Sequence, residues 1–260
     1  MPITFALQDV LAIICGSFVG FSLALIGGGG SILAMPLMLY VVGLHDPHLA
    51  IGTSALAVSI SAFANLIPHA RAGHVRWKEA AIFAVAGMLG AYAGSSLGKW
   101  MDGQRLLLLF AILMLVVAAL MLRPRAARVG DAAPMPHLIP RLSSTGFAAG
   151  GLAGFFGIGG GFLVVPGLML AGRLEIIQAI GSALLAVGAF GLTTAANYAA
   201  SGWVDWRIAA EFIGGGFAGG WLGALGAHRL ARTRGALNRV FAAAIVAMAL
   251  FILWHVIRRF

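Results

Sequence analysis

Apolar residues fall into ten blocks along the chain, near positions 5–26, 31–44, 49–68, 79–99, 104–122, 143–156, 161–172, 176–199, 207–227 and 236–257. Short breaks of charged, glycine and proline residues separate them. Most blocks are close to the roughly 20 residues that a helix rising 1.5 Å per residue needs to cross a hydrocarbon core of about 30 Å. The pattern predicts an all-α polytopic membrane protein, because lipid leaves backbone groups no partners outside their own helix or a closed barrel. The second and seventh blocks, at 14 and 12 residues, reach only about 21 and 18 Å as helix. They are expected to be short or re-entrant.

The blocks repeat, five and five. GGGGSILAMP (Gly27–Pro36) returns as GIGGGFLVVP (Gly157–Pro166) at an offset of 130. At an offset of 129, AIGTSALAV (Ala50–Val58) returns as AIGSALLAV (Ala179–Val187), GHVRW (Gly73–Trp77) as GWVDW (Gly202–Trp206), and Gly87, Gly90 and Gly94 as Gly216, Gly219 and Gly223. Two repeats are expected, 1–122 and 142–260, joined by a linker over 123–141. That linker holds Pro124, Pro134, Pro136 and Pro140 among Arg123, Arg125, Arg128 and Arg141. With an odd number of segments per repeat, the second copy is expected to enter the membrane inverted. Inverted repeats recur in secondary transporters, which bind substrate near the midplane between the halves.

Composition strengthens the case for a lipid bilayer as solvent: 61% of residues are hydrophobic and only 10% charged, too few polar side chains to cover a water-facing surface. The net charge of +9 is not read as a nucleic-acid signal, since the cations sit in short loops and cytoplasmic loops collect Lys and Arg. One side of the membrane receives positions 71, 76, 78, 123, 125, 128, 141, 173, 229, 232, 234 and 239, the other only 99, 105, 207, 258 and 259. The linker is therefore expected to be cytoplasmic and both termini periplasmic. Residues 1–10 carry Asp9 and no Lys or Arg, so the first block is expected to be a retained helix rather than a cleaved signal. A single cysteine, Cys15, excludes an intrachain disulfide. No histidine or carboxylate cluster has metal-ligand spacing, and no nucleophile stands beside a base and its orienting group, so no metal, cofactor or enzymatic activity is expected.

The glycine clusters are the first candidate chemistry. Non-helical backbone survives at membrane depth only where protein buries it or it lines a wet cavity. Gly28, Gly29, Gly30 and Ser31, with Gly159, Gly160 and Gly161, are read as breaks before short helices. Their free amides and positive dipole ends would attract an anion. Pro36 and Pro166 would kink or end those helices. Thr53, Ser54 and Ser182 add hydroxyls that can donate to an oxyanion. Asn65, His69 and Asn197, farther along the same blocks, are candidates for a pathway or for a coupling proton. Acidic residues occur at 9, 46, 79, 102, 131, 175, 205 and 211, and only Glu211 reaches into a span. Cation carriers commonly place carboxylates inside the membrane, so an anion site of backbone dipoles and hydroxyls fits better.

The duplicated GxGGG…P phrases, AIGTSALAV with its partner, the AGHVRW-type turn and the basic mid-chain linker resemble the TauE/SafE sulfite exporter family over essentially the whole chain. Here the half-sites differ, Gly28 standing opposite Ile158 and Ser31 opposite Gly161. The resemblance implies a bacterial inner-membrane carrier of sulfur-containing anions such as sulfite, sulfoacetate, other sulfonates or thiosulfate. A passive anion channel is the alternative, since a channel needs no coupling group. A non-transporting scaffold would need a sizeable soluble domain, and none is evident.

Overall fold

The computed structural model describes residues 2–26, 29–122, 138–230 and 234–258. Ten α-helices and one 3-10 turn occupy most of them, with no strand among the described residues. In chain order these are α1 Pro2–Ile26, the 3-10 turn Gly29–Leu33, α2 Ala34–Tyr40, α3 Pro47–Arg71, α4 Trp77–Trp100 and α5 Gly103–Leu122. The second half supplies α6 Leu138–Phe156, α7 Gly161–Gly172, α8 Ile176–Ala199, α9 Trp206–Leu230 and α10 Arg234–Ile257. Within the described residues α1, α3, α4 and α8 are long and apolar enough to cross a bilayer. The chain is an all-helical polytopic membrane protein.

Polar residues set the helix starts. Asp46 caps α3 by accepting from the His48 amide at 2.8 Å, with Pro47 in the first turn. Asp102 accepts from Gln104 at 3.0 Å and Arg105 at 3.3 Å ahead of α5, and Asp205 accepts from Ile208 at 3.0 Å ahead of α9. Each satisfies amides that the first helical turn leaves orphaned. The expected linker over 123–141 lies outside the described residues as far as 137, and positions 138–141 belong to α6. Pro140 is the third residue of that helix, in the turn whose amides make no intrahelical bond, so it does not bar the start.

Packing joins the two halves more than it separates them. Helix α1 lies along α9, and α6 lies along α4. The contacts correspond position by position. Gly16 and Gly20 of α1 stand against the carbonyls of Phe212 and Gly216 of α9, while Gly146 and Gly150 of α6 stand against those of Phe83 and Gly87 of α4. These eight residues make the same two contacts twice, related by offsets of 130 and 129. A Cβ at any of the four glycines first named would collide with backbone. Without side chains between them, helices approach closely enough for dispersion and Cα–H contacts to hold them in lipid, where no hydrophobic drive operates between helices. Between the two pairs run α3 and α8, in contact with each other, and α5 rests on α10.

The outward faces are apolar. Leu89, Val85 and Leu222 are at least 60% exposed, an arrangement suited to acyl chains. Trp77 and Trp206, equivalent positions at the starts of α4 and α9, are both exposed, as interfacial tryptophans are.

Candidate functional site

The second glycine cluster breaks the helix. Helix α6 stops at Phe156, and Gly157, Gly159 and Gly160 take left-handed φ values of 67°, 63° and 69°, a region that penalises any residue with a Cβ. Helix α7 then starts at Gly161 with Gly160 as its cap residue and no capping side chain; the Gly160 carbonyl accepts from the Leu163 amide at 2.8 Å and the Val164 amide at 3.0 Å, so the orphaned donors of the first turn are the amides of Gly161 and Phe162. The first cluster leads into a tighter device. After α1, Gly29–Leu33 forms the 3-10 turn, and α2 follows directly, capped by Leu33 with no side-chain bond. Gly28 lies outside the described residues. Gly30 and Ser31 are buried, and a Cβ on Gly30 would strike Ser22.

The turn and α7 touch, so elements following both clusters meet. The second cluster rests on the crossing of α3 and α8: a Cβ at Gly159 would lie 3.1 Å from a Val58 methyl and 3.3 Å from one of Val187. Val58 and Val187 are themselves equivalent residues of the two halves. Both short helices run on past their prolines, α2 from Pro36 to Tyr40 and α7 from Pro166 to Gly172. Pro36 is the third residue of α2, where no intrahelical bond is lost. Pro166 is the sixth of α7 and removes one.

The hydroxyls have structural partners across the repeat. Thr53 Oγ1 accepts from the Asp205 amide at 2.9 Å, and Ser182 Oγ accepts from the Arg76 amide at 2.9 Å. Thr53 is equivalent to Ser182, and Arg76 to Asp205. Each half thus ties the loop before the fourth helix of the other. Beside each tie, Gly52 faces the Trp203 carbonyl and Gly181 the His74 carbonyl, again equivalent pairs. The acceptor side of both hydroxyls is engaged, which leaves the O–H proton for any ligand. Ser54 Oγ donates to the Ile51 carbonyl at 3.1 Å.

The remaining candidates fall at the far ends of α3 and α8. Asn65 is buried, its amide against Gly220 of α9, and its Nδ2 has no partner. His69 lies with its ring 6.0 Å from that of His74. Asn197 is fully engaged: Nδ2 donates to Ser95 Oγ at 2.7 Å and Ser96 Oγ at 3.0 Å, and Oδ1 accepts from Lys99 Nζ at 2.9 Å. Lys99 also donates to the Asn197 carbonyl at 3.1 Å and to Ser201 Oγ at 2.8 Å. Among the described residues the ion pairs join Arg207 to Asp9 and to Glu211, and none involves Lys99. Among the described residues no group of three or more His, Cys, Asp or Glu could hold a metal ion.

A family model for the sulfite exporter TauE/SafE matches residues 12–252. The chain belongs to the TauE/SafE family. A probable membrane transporter protein of Xylella fastidiosa strain Temecula1 is 55% identical to this family member over 248 residues, 95% of each chain. The probable membrane transporter protein YunE of Bacillus subtilis is 27% identical over 237 residues, 83% of this chain and 87% of its own. A probable membrane transporter protein of Haemophilus influenzae is 28% identical over 202 residues, 75% of each. No solved structure matches. Membership makes this TauE/SafE protein a multi-pass membrane transporter. The mutual ties through Thr53 and Ser182 and the Lys99 cluster escaped sequence reasoning, although the 129-residue offset already paired Thr53 with Ser182.

Proposed function

We propose that the protein is a secondary transporter that moves small sulfur-containing anions, such as sulfite, sulfoacetate, other sulfonates or thiosulfate, across the bacterial inner membrane by alternating access. The observation that carries this reading is the meeting of the 3-10 turn with α7, whose uncapped first turn follows three left-handed glycines. Amides held this way stabilise an oxyanion without placing a fixed charge in a low-dielectric interior. In this reading Gly28, Gly29, Gly30 and Ser31, with Gly159, Gly160 and Gly161, supply backbone donors, Thr53 and Ser182 supply hydroxyl protons, Ser54 lines the site beside Thr53 with its own proton held by the Ile51 carbonyl, and Asn65, His69 and Asn197 line the route. The halves are inverted, with the linker cytoplasmic and both termini periplasmic, as the Lys and Arg distribution supports. Because α1 packs on α9 and α6 on α4, the bodies that rock are these mixed bundles turning about the α3–α8 crossing.

The test is uptake of radiolabelled sulfite into proteoliposomes, with thiosulfate, sulfoacetate, taurine and sulfate as competitors, with and without an imposed pH gradient. Saturable uptake that follows the gradient is expected. Non-saturating flux indifferent to the gradient would make the protein a passive anion channel, and absence of flux for every competitor would remove the substrate class.

A further inference from the structure

Among the described residues, buried side-chain polar atoms without a hydrogen-bond partner occur on His48, Asn65, His69, Thr194, Tyr198 and Glu211. Four of these six are two pairs at the 129-residue offset: Asn65 is equivalent to Thr194, and His69 to Tyr198. The other two have no such counterpart, since Ile177 and Ile82 stand at the equivalent positions. Within each pair the residues are four apart on one helix, so they share a face, α3 for Asn65 and His69 and α8 for Thr194 and Tyr198. Asn65 is 6% exposed, and Thr194 and Tyr198 are completely buried. An unpartnered buried polar group is destabilising. Repetition of that penalty at the same place in both halves, with different side chains, is the signature of a retained polar site rather than of a packing accident.

Each pair also lies beside the end of the helix that leads into a glycine cluster. His69 lies against the Ala24 backbone, two residues before α1 ends. The Tyr198 hydroxyl and the Phe155 carbonyl both border Gly98, and Phe155 is one residue before α6 ends. A cation accompanies each. Arg71 shares with Asn65 a groove of about 580 Å³ between α3 and α9, and Lys99, next to Gly98, grips Asn197 and Ser201 on either side of Tyr198 along the chain. The equivalent groove between α8 and α4, about 680 Å³, includes Asn197 in its lining, and no Asp or Glu lines either groove. An amide N–H and two hydroxyls beside a positive charge are groups that can donate to an oxyanion, and the imidazole joins them when both of its nitrogens carry a proton.

We propose that Asn65 with His69, and Thr194 with Tyr198, are two equivalent oxyanion subsites, one beside each glycine cluster, between which the transported anion passes. The inference rests on the transport reading above. Its test uses purified full-length protein and two readouts, the KM for sulfite uptake in proteoliposomes and the thermal midpoint with and without sulfite. Thr194→Val and Tyr198→Phe keep shape and remove only the unpartnered oxygen. Their ligand-free midpoint is therefore expected to be unchanged or raised, while KM rises at least fivefold and the sulfite-induced shift shrinks. Asn65→Leu is expected to do the same for the first pair. Wild-type KM in all three variants would overturn the subsites and leave transport standing. A wild type that neither transports sulfite nor is stabilised by sulfite, thiosulfate or sulfate would overturn both the subsites and the reading they rest on.

Discussion

Ser59 and Gly188 are equivalent residues of the two halves, and they bind each other: the Ser59 hydroxyl donates to the Gly188 carbonyl at 2.6 Å across the buried contact of α3 and α8. Helices α3 and α8 therefore meet at the same register of the two sequence copies. Gly159 lies against the neighbouring counterparts Val58 and Val187, which sets the second glycine cluster beside the same contact. Ser59→Ala removes a single buried bond and is expected to destabilise the protein by about 0.5–1.5 kcal/mol. Chemical or thermal unfolding of the purified variant measures it. A loss larger than that of either cross-repeat tie would mean that the crossing bears more of the fold than one hydrogen bond can.

The two cross-repeat ties make a matched pair. Thr53→Val strands the Asp205 amide and Ser182→Ala strands the Arg76 amide, each now accepted at 2.9 Å. A buried donor left without its partner costs about 1–3 kcal/mol and these part-buried ones less, so both variants should melt lower by similar amounts, and Thr53→Ser should keep the wild-type midpoint. Transport that collapses in Thr53→Ser as well would show that the threonine methyl, not the bond, is what matters.

The crossed helix pairs predict a sharp dependence on glycine. Gly20→Ala and Gly150→Ala place a methyl against the backbone carbonyls of Gly216 and Gly87, and both should reduce the folded, monodisperse fraction seen by fluorescence-detected size-exclusion chromatography. A Cβ at Gly214 of α9 would have nothing within 4 Å, and Gly214 is not among the glycines of positive φ. Gly214→Ala should therefore be tolerated or slightly stabilising, by up to about 1 kcal/mol. Equal loss in all three would divorce the effect from helix approach.

At the glycine cluster, Gly160→Val adds a β-branched side chain at φ 69°, where a Cβ already lies 2.5 Å from that of Ala153. Strain of about 1–3 kcal/mol and the collision together should displace the start of α7. Sulfite uptake should fall to background while membrane insertion, read by protease protection, stays intact. Retained uptake would remove this cluster from the pathway.

Much of the fold was legible because long apolar runs leave few choices in lipid. The blocks 161–172 and 176–199 coincide with α7 and α8, and the others differ by a few residues at their ends. The start of α6 was less legible, since Pro140 and Arg141 read as linker although proline is tolerated in a first turn. At the candidate site, the helix break at Gly157–Gly160 was visible because a run of glycines is costly in a lipid-facing helix. The roles of Thr53 and Ser182 were not. A hydroxyl in an apolar helix can cap, bond a neighbouring helix or bind a ligand, and only the position of a loop 152 or 106 residues away decides. Thr194 and Tyr198 gave no signal at all, because the absence of a hydrogen-bond partner is a property of three-dimensional surroundings.

The lodging of α1 against α9 and of α4 against α6 also bears on how the protein is made. During synthesis α1 is complete before seven further helices, α2 to α8, precede the one that covers its glycines. Throughout that interval its Gly16 and Gly20 surface can meet only lipid, the translocation machinery or another nascent chain. Helix α4 waits only for α6, with α5 between them. The α4–α6 pair can therefore close while the ribosome is still at work, and α1–α9 closes near the end, locking a bundle whose other half is already built.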